Sequence, residues 1–224
     1  LRTGRLEVRA LSGAMDIQIF TTGPLSTNAY VASCPTTKKA VVIDPAFGSS
    51  GPIARYIGKN NLECVWLLLT HSHWDHLADL AACKALYPKA TIAVHALDAQ
   101  NAEKPGSDGL PGLCPLSPVR VDHFLQEGEE IVAGQLRFLV LHTPGRSPGG
   151  ICLYEPREGI LFSGDTLFLG AIGSLSLPTG QPELMGASLQ KLWCLPEETK
   201  VYPGHGRSTE IGTSKLDLQQ EWRK

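Results

Sequence analysis

No stretch of this sequence approaches the roughly 18 apolar residues that a membrane-crossing helix requires, and none of its six cysteines forms a CxxC pair. The first absence argues against a membrane partner, and the second removes the usual thiolate-zinc and dithiol-redox motifs. Charge of one sign is also missing. Twenty Lys and Arg stand against 22 Asp and Glu, a net charge of −2, so the basic surface that a nucleic-acid partner would select is not expected. Cys34, Cys64, Cys83, Cys114, Cys152 and Cys194 lie far apart. They read as buried or idle thiols of a reducing compartment, which makes a cytoplasmic location the expectation. There is no internal repeat and no evident linker.

The opening segment LRTGRLEVRALSGA (1–14) has three arginines but no apolar stretch of the secretory kind. Met15 opens the first strand-like segment. Residues 1–14 are therefore read as an extension or remnant, and 15–224 as a single domain. With 42% hydrophobic and 19% charged residues, a domain of this length has ample material for a core.

Short apolar runs alternate with helical stretches. Strands are predicted at 17–22, 29–33, 39–44, 65–70, 91–95, 136–142, 150–156, 159–165 and 200–204, each rich in β-branched or aromatic residues and bounded by Gly, Pro, Asn or Asp. Helices are predicted at 52–60, 76–87, 96–104 and 182–193, the second stopping before Pro88. The Gly- and Pro-dense segment 105–118 reads as a surface loop. Two strand-rich halves with helices between and outside them suit an α/β fold, an αββα sandwich.

The strand over 65–70 runs into HSHWDH, which places His71, His73, Asp75 and His76 within six residues. Alternation along an extended chain puts His71 and His73 on one side, with Asp75 and His76 at the turn into the following helix. Imidazole and carboxylate together suit zinc, manganese or iron. Asp165, in LFSGDTLF (161–168), and His205, in VYPGHGRS (201–208), each follow a strand and could complete a ligand set at one edge of the sandwich. Taken singly, either would pass for an ordinary turn residue.

The segments GPLSTNAY (23–30), AVVIDPAFG (40–48), LLTHSHWDH (68–76), HTPGRSPGG (142–150), LFSGDTLF and VYPGHG occur in the order of a known family. The sequence resembles the metallo-β-lactamase-fold hydrolases, and most closely their short, glyoxalase II-like (hydroxyacylglutathione hydrolase-like) branch, from about Thr21 to Ile211. The resemblance implies two adjacent metal sites. One would use His71, His73 and a histidine of the loop after 136–141. The other would use Asp75, His76 and His205, with Asp165 bridging the two. It implies zinc, as one or two ions, with iron or manganese as alternatives, and a small ester or thioester attacked by metal-bound hydroxide that Asp75 orients.

The departure lies at 146. Where the family motif usually reads HTPGH, this chain has Arg146, which has no lone pair to donate to a cation. His142 occupies the motif's usual non-ligand place. A second departure is GAIGSLSLPTG (170–180), with Ser174 and Ser176 where relatives carry Arg and Asp. Barely 20 residues follow PGHG, so the helical glutathione-binding domain of full-length glyoxalase II is not expected. Arg146 would bind a substrate carboxylate or a developing oxyanion, or it would turn to solvent or pair with Asp165. The leading expectation is a metal-dependent hydrolase with an altered centre. The alternatives are a weakly active or non-catalytic single-metal relative and a persulfide dioxygenase-like iron enzyme.

Overall fold

A computed structural model describes residues 15–221, so the N-terminal segment 1–14 lies outside the described residues. Two six-stranded sheets form the centre. The first runs β1 (Asp16–Thr22), β2 (Thr27–Ser33), β3 (Lys39–Ile43), β4 (Glu63–Leu68), β5 (Thr91–His95) and β6 (His123–Leu125) in spatial order. The second runs in reverse, from β12 (Thr209–Glu210) through β11 (Lys200–Pro203), β10 (Ile160–Gly164), β9 (Ile151–Glu155) and β8 (Leu136–His142) to β7 (Glu130–Ala133). β3 to β6 pair in parallel, as do β10 and β11, and the remaining pairs are antiparallel.

Alternation along the strands splits the interior into three layers. On the outer face of the first sheet, Val42, Leu67 and Ile92 pack against Ile53 and Ile57 of α1 (Ser50–Lys59) and Leu80 and Cys83 of α3 (Leu80–Leu86). Between the sheets, Tyr30, Ile43 and Leu68 meet Phe138, Val140, Leu153 and Phe162. On the far face, Leu141, Cys152, Leu161 and Val201 cover Met185, Leu189 and Leu192 of α5 (Pro182–Leu192) and Leu218 of α6 (Ile211–Glu221). The order helix, sheet, sheet, helix is the expected αββα sandwich. Among the described residues no helix is long and apolar enough to cross a membrane. The six cysteines are free, and four of them are buried.

Three local expectations need correction. β4 ends at Leu68, so His71 and His73 belong to a loop and not to a strand. The helix expected over 76–87 is two helices, α2 (Trp74–Leu77) and α3. The break falls at Asp79, whose N–H donates to the carbonyl of Pro45 at 2.9 Å and whose carboxylate accepts the N–H of Ser50 at 2.8 Å. These contacts draw Asp79 toward the start of α1 and away from a continuous helical ladder. The helix expected at 96–104 is shortened to α4 (Ala99–Glu103).

Phe162 is fully buried between the sheets, with its ring edge-on to Tyr30 at 5.1 Å. Phe162→Ala should therefore lower the unfolding free energy by about 3–5 kcal/mol, as measured by urea denaturation.

Candidate metal centre

One edge of the sandwich collects the ends of five segments: the turn before β2, the ends of β3, β10 and β11, and the loop after β4. Asp75 and His76 occupy the first turn of α2, a four-residue helix whose N-cap is His73 in extended conformation. Asp165 follows β10, and His205 follows β11. His76 Nε2 lies 3.5 Å from Asp75 Oδ2 and 3.4 Å from Asp165 Oδ1. His205 Nε2 lies 3.3 Å from Asp75 Oδ2 and 3.6 Å from Asp165 Oδ1. His71 Nε2 is 3.7 Å from the other oxygen, Asp165 Oδ2. Two nitrogens and two carboxylate oxygens thus converge on one point without bonding to one another directly.

The backbone must come very close for this to happen. A Cβ on Gly204 would lie 2.6 Å from the His76 ring and would run into Asp165 Oδ1. The chain beside it is anchored by Asn28, whose N–H reaches Gly204 O at 2.8 Å and whose side-chain amide donates to the carbonyls of Pro203 and Gly206.

Each imidazole has its second nitrogen committed elsewhere. His76 Nδ1 donates to Asp44 Oδ2 at 2.9 Å. Thr70 Oγ1 donates to Asp44 and so accepts from His71 Nδ1 at 3.2 Å. Thr179 Oγ1 donates to Arg146 O and so accepts from His73 Nε2 at 2.8 Å. His205 Nδ1 donates to Leu25 O at 3.1 Å. These partners set the tautomers and aim the remaining lone pairs inward. His71 Nε2, His73 Nδ1, His76 Nε2 and Asp165 Oδ1 are buried with no hydrogen-bond partner. Buried polar atoms are seldom left so, and this donor set fits a divalent zinc, iron or manganese ion. Asp44 also lies near His71 and His76, but its oxygens are occupied by the N–H and hydroxyl of Thr70 and by His76 Nδ1. It orients the imidazoles, and does so from a left-handed backbone conformation (φ 50°) of the kind that clusters at functional sites.

The sequence matches the Metallo-beta-lactamase superfamily over residues 22–205. The chain belongs to this superfamily. It is 32% identical to the probable metallo-hydrolase YqgX of Bacillus subtilis (strain 168), with 86% of this chain and 91% of that one covered. It is 36% identical to the hydroxyacylglutathione hydrolase of Thermosynechococcus vestitus (strain NIES-2133 / IAM M-273 / BP-1), over 76% of this chain and 60% of that longer one. Among solved structures, the BLEG-1 B3 metallo-beta-lactamase is 34% identical with a TM-score of 0.82, covering 90% of this chain and 97% of that one. TTHA1623, solved in a di-iron-bound form, is 35% identical with a TM-score of 0.75, covering 88% and 96%.

Within this metallo-hydrolase fold, Arg146 departs most from the expected motif, and its side chain turns into the site. Its Nε donates to Asp165 Oδ2 at 3.0 Å, and one terminal nitrogen donates to Ser174 O at 2.9 Å. Of the alternatives open for Arg146, the structure shows the pairing with Asp165. The guanidinium also reaches the stretch where the resemblance led us to expect an arginine. His142 lies outside this cluster: it stacks on His95 (4.1 Å, 9° between planes) and donates to Pro148 O.

Charge follows from this geometry. Burial, reinforced by His76, His73 and Arg146, drives His71 well below its usual range. Burial and Arg146 bring His73 down to about 3. Burial opposes a charge on His76, but Asp75, Asp165 and Asp44 outweigh it and raise that group well above its usual range. Burial acts likewise against the Asp75 and Asp165 carboxylates, yet His76 and His205 hold both low. At pH 7, before any cation binds, His71 and His73 are therefore neutral and His76 carries a proton. A cation must displace that proton, so affinity should rise with pH until His76 is neutral. Calorimetric zinc titrations at pH 7 in buffers of different ionisation enthalpy should show net proton release on binding. A buffer-independent heat would contradict this assignment.

Asp98 was missed by sequence reasoning because it falls inside the helix expected over 96–104; the structure puts it at the N-cap position of α4. It makes no cap bond. Its buried carboxylate instead accepts Ser72 N at 3.0 Å, Ser147 Oγ at 2.8 Å and Gly149 N at 2.6 Å, joining the histidine loop to the arginine loop. Burial raises its pKa, with those hydrogen bonds opposing the rise. Asp98→Ala would leave several buried donors unpaired and should cost about 2–4 kcal/mol in urea unfolding.

Proposed function

We propose that this chain hydrolyses a small thioester or ester, with one divalent cation held by Asp75, His76, His205 and Asp165 and with Arg146 in place of the third histidine of the other half-site. The division of Asp165 carries this reading. Its Oδ1 faces His76 and His205, while its Oδ2 is engaged by a guanidinium that cannot be deprotonated in a protein. His71 and His73 then lack the third imidazole expected of that half-site.

When bound, the cation would polarise the scissile carbonyl and lower the pKa of water to about 7. Asp75, kept ionised and fixed by the Thr27 hydroxyl at 2.7 Å, is placed to orient a water molecule through its oxygens. Arg146 offers a fixed positive charge beside the reacting centre, suited to an oxyanion as charge develops there. Similarity to a hydroxyacylglutathione hydrolase supports the thioester class. Zinc is the expected ion, and the di-iron-bound relative supports iron as the alternative. Six free thiols fit a cytoplasmic setting.

A second reading, a single-cation protein with little or no turnover, draws on the same Arg146–Asp165 pair, because Asp165 Oδ2 is no longer free to bridge two cations. The persulfide dioxygenase-like reading loses support because residue 146 supplies no imidazole.

Metal analysis of the purified protein, alongside Arg146→His, distinguishes these readings. The unmodified chain should retain about one ion. The variant should approach two, with at least about a tenfold gain in thioesterase kcat/KM. Two tightly bound ions in the unmodified chain would refute the lost half-site, and one ion with no turnover of any ester or thioester would favour the second reading.

A further inference from the structure

Two cavities meet at His73, and their walls differ in character. One, of about 290 Å³, has His73, Asp75 and Arg146 at its floor and Leu25, Trp74, Leu110, Pro111 and Leu177 as walls. The other, of about 140 Å³, has the acidic side chains Asp98 and Asp108 and the amide of Asn101 among its lining residues. The loop that separates them is fixed: Asn101 Oδ1 accepts Gly106 N at 2.9 Å, Asn101 Nδ2 donates to Asp108 Oδ2 at 2.9 Å, and Asp108 Oδ1 accepts Leu110 N at 3.0 Å. The apolar wall is thus held in place rather than assembled by the ligand.

Among the described residues, neither cavity is lined by a lysine, and Arg146 is the one arginine. Its Nε already pairs with Asp165 at the reacting centre, so its charge faces the scissile group and not a distant tail. Away from Arg146, a leaving group bearing carboxylates and seated in either of these cavities would find mainly aliphatic and aromatic walls with Ser174 on one side, and Asp98 and Asp108 on the other. Both sides disfavour it, by desolvation and by repulsion. The apolar cavity, at about 290 Å³, falls just below the range of about 300–1,000 Å³ for pockets that take drug-sized ligands, so it has ample room for a short acyl group.

We infer that the substrate pairs a short, uncharged aliphatic acyl group, seated against Trp74, Leu110 and Leu177, with an uncharged thiol or alcohol rather than an anionic peptide thiol. This rests on the hydrolase reading above for the position of the scissile bond, but binding can be tested without turnover.

Two thioethers that cannot be cleaved, S-butyl-N-acetylcysteamine and S-butylglutathione, should be titrated calorimetrically into the zinc-loaded protein. The neutral thioether should bind at least about tenfold more tightly. Leu177→Asp, and separately Leu110→Asp, should weaken its binding about fivefold or more, whereas Leu177→Lys should narrow the gap between the two ligands. Both positions are half-buried on loops, and unchanged thermal melts would show that the variants fold. Equal or tighter binding of S-butylglutathione, or no saturable binding of either thioether, would overturn the inference. Hydrolysis of S-butanoyl-N-acetylcysteamine is measured separately. Its absence alongside the predicted binding order would refute the hydrolase reading while leaving the ligand class standing.

Discussion

A buried carboxylate is costly unless positive charge or hydrogen-bond donors surround it, and Asp165 is buried at the centre of the ligand edge. Its two oxygens meet that demand differently. Oδ2 takes a direct bond from Arg146 Nε, whereas Oδ1 is left facing the rings of His76 and His205. This asymmetry makes the two halves of the site unequal. One half already contains a permanent cation belonging to the protein, and the other has the donor set for an ion from solution. The surrounding arrangement follows from keeping that carboxylate ionised and its neighbours aimed: Asp44 behind His76, Thr70 behind His71, Leu25 O behind His205, and glycine at 204 so that the backbone can come close.

The sandwich was readable from the sequence because its strands are strongly patterned. The alternation of β8, with Phe138 and Val140 facing one layer and Leu139 and Leu141 the other, appears directly in LRFLVLH. The short edge strands escaped notice. β6 has three residues and β12 two, too few to show a period, and α6 has weakly patterned polar faces. The continuous helix expected over 76–87 failed because Asp79 bonds to a different part of the chain, a tertiary preference that local periodicity does not contain.

Site residues divide in the same way. His71, His73, Asp75 and His76 crowd into one short motif, and the structure places them close to Asp165 and His205. The residues that orient them were silent. Thr70, Thr179 and Asp98 are common loop residues whose roles exist only through partners 26 to 106 positions away in the chain. The direction of Arg146 was likewise open until the structure showed its bond to Asp165.

The arginine loop is also held by contacts that do not use the side chain of residue 146. Asp98 grips Ser147 and Gly149, Thr143 N bonds to Gly150 O at 2.8 Å, and Gly145, at φ 149°, lies too close to Met185 to carry a Cβ. Only the side chain of 146 enters the site. Anchorage and chemistry are therefore separable along nine consecutive residues. A histidine codon becomes an arginine codon by one base change, so a lineage could cross between metal ligand and fixed charge, in either direction, without passing through a misfolded ancestor.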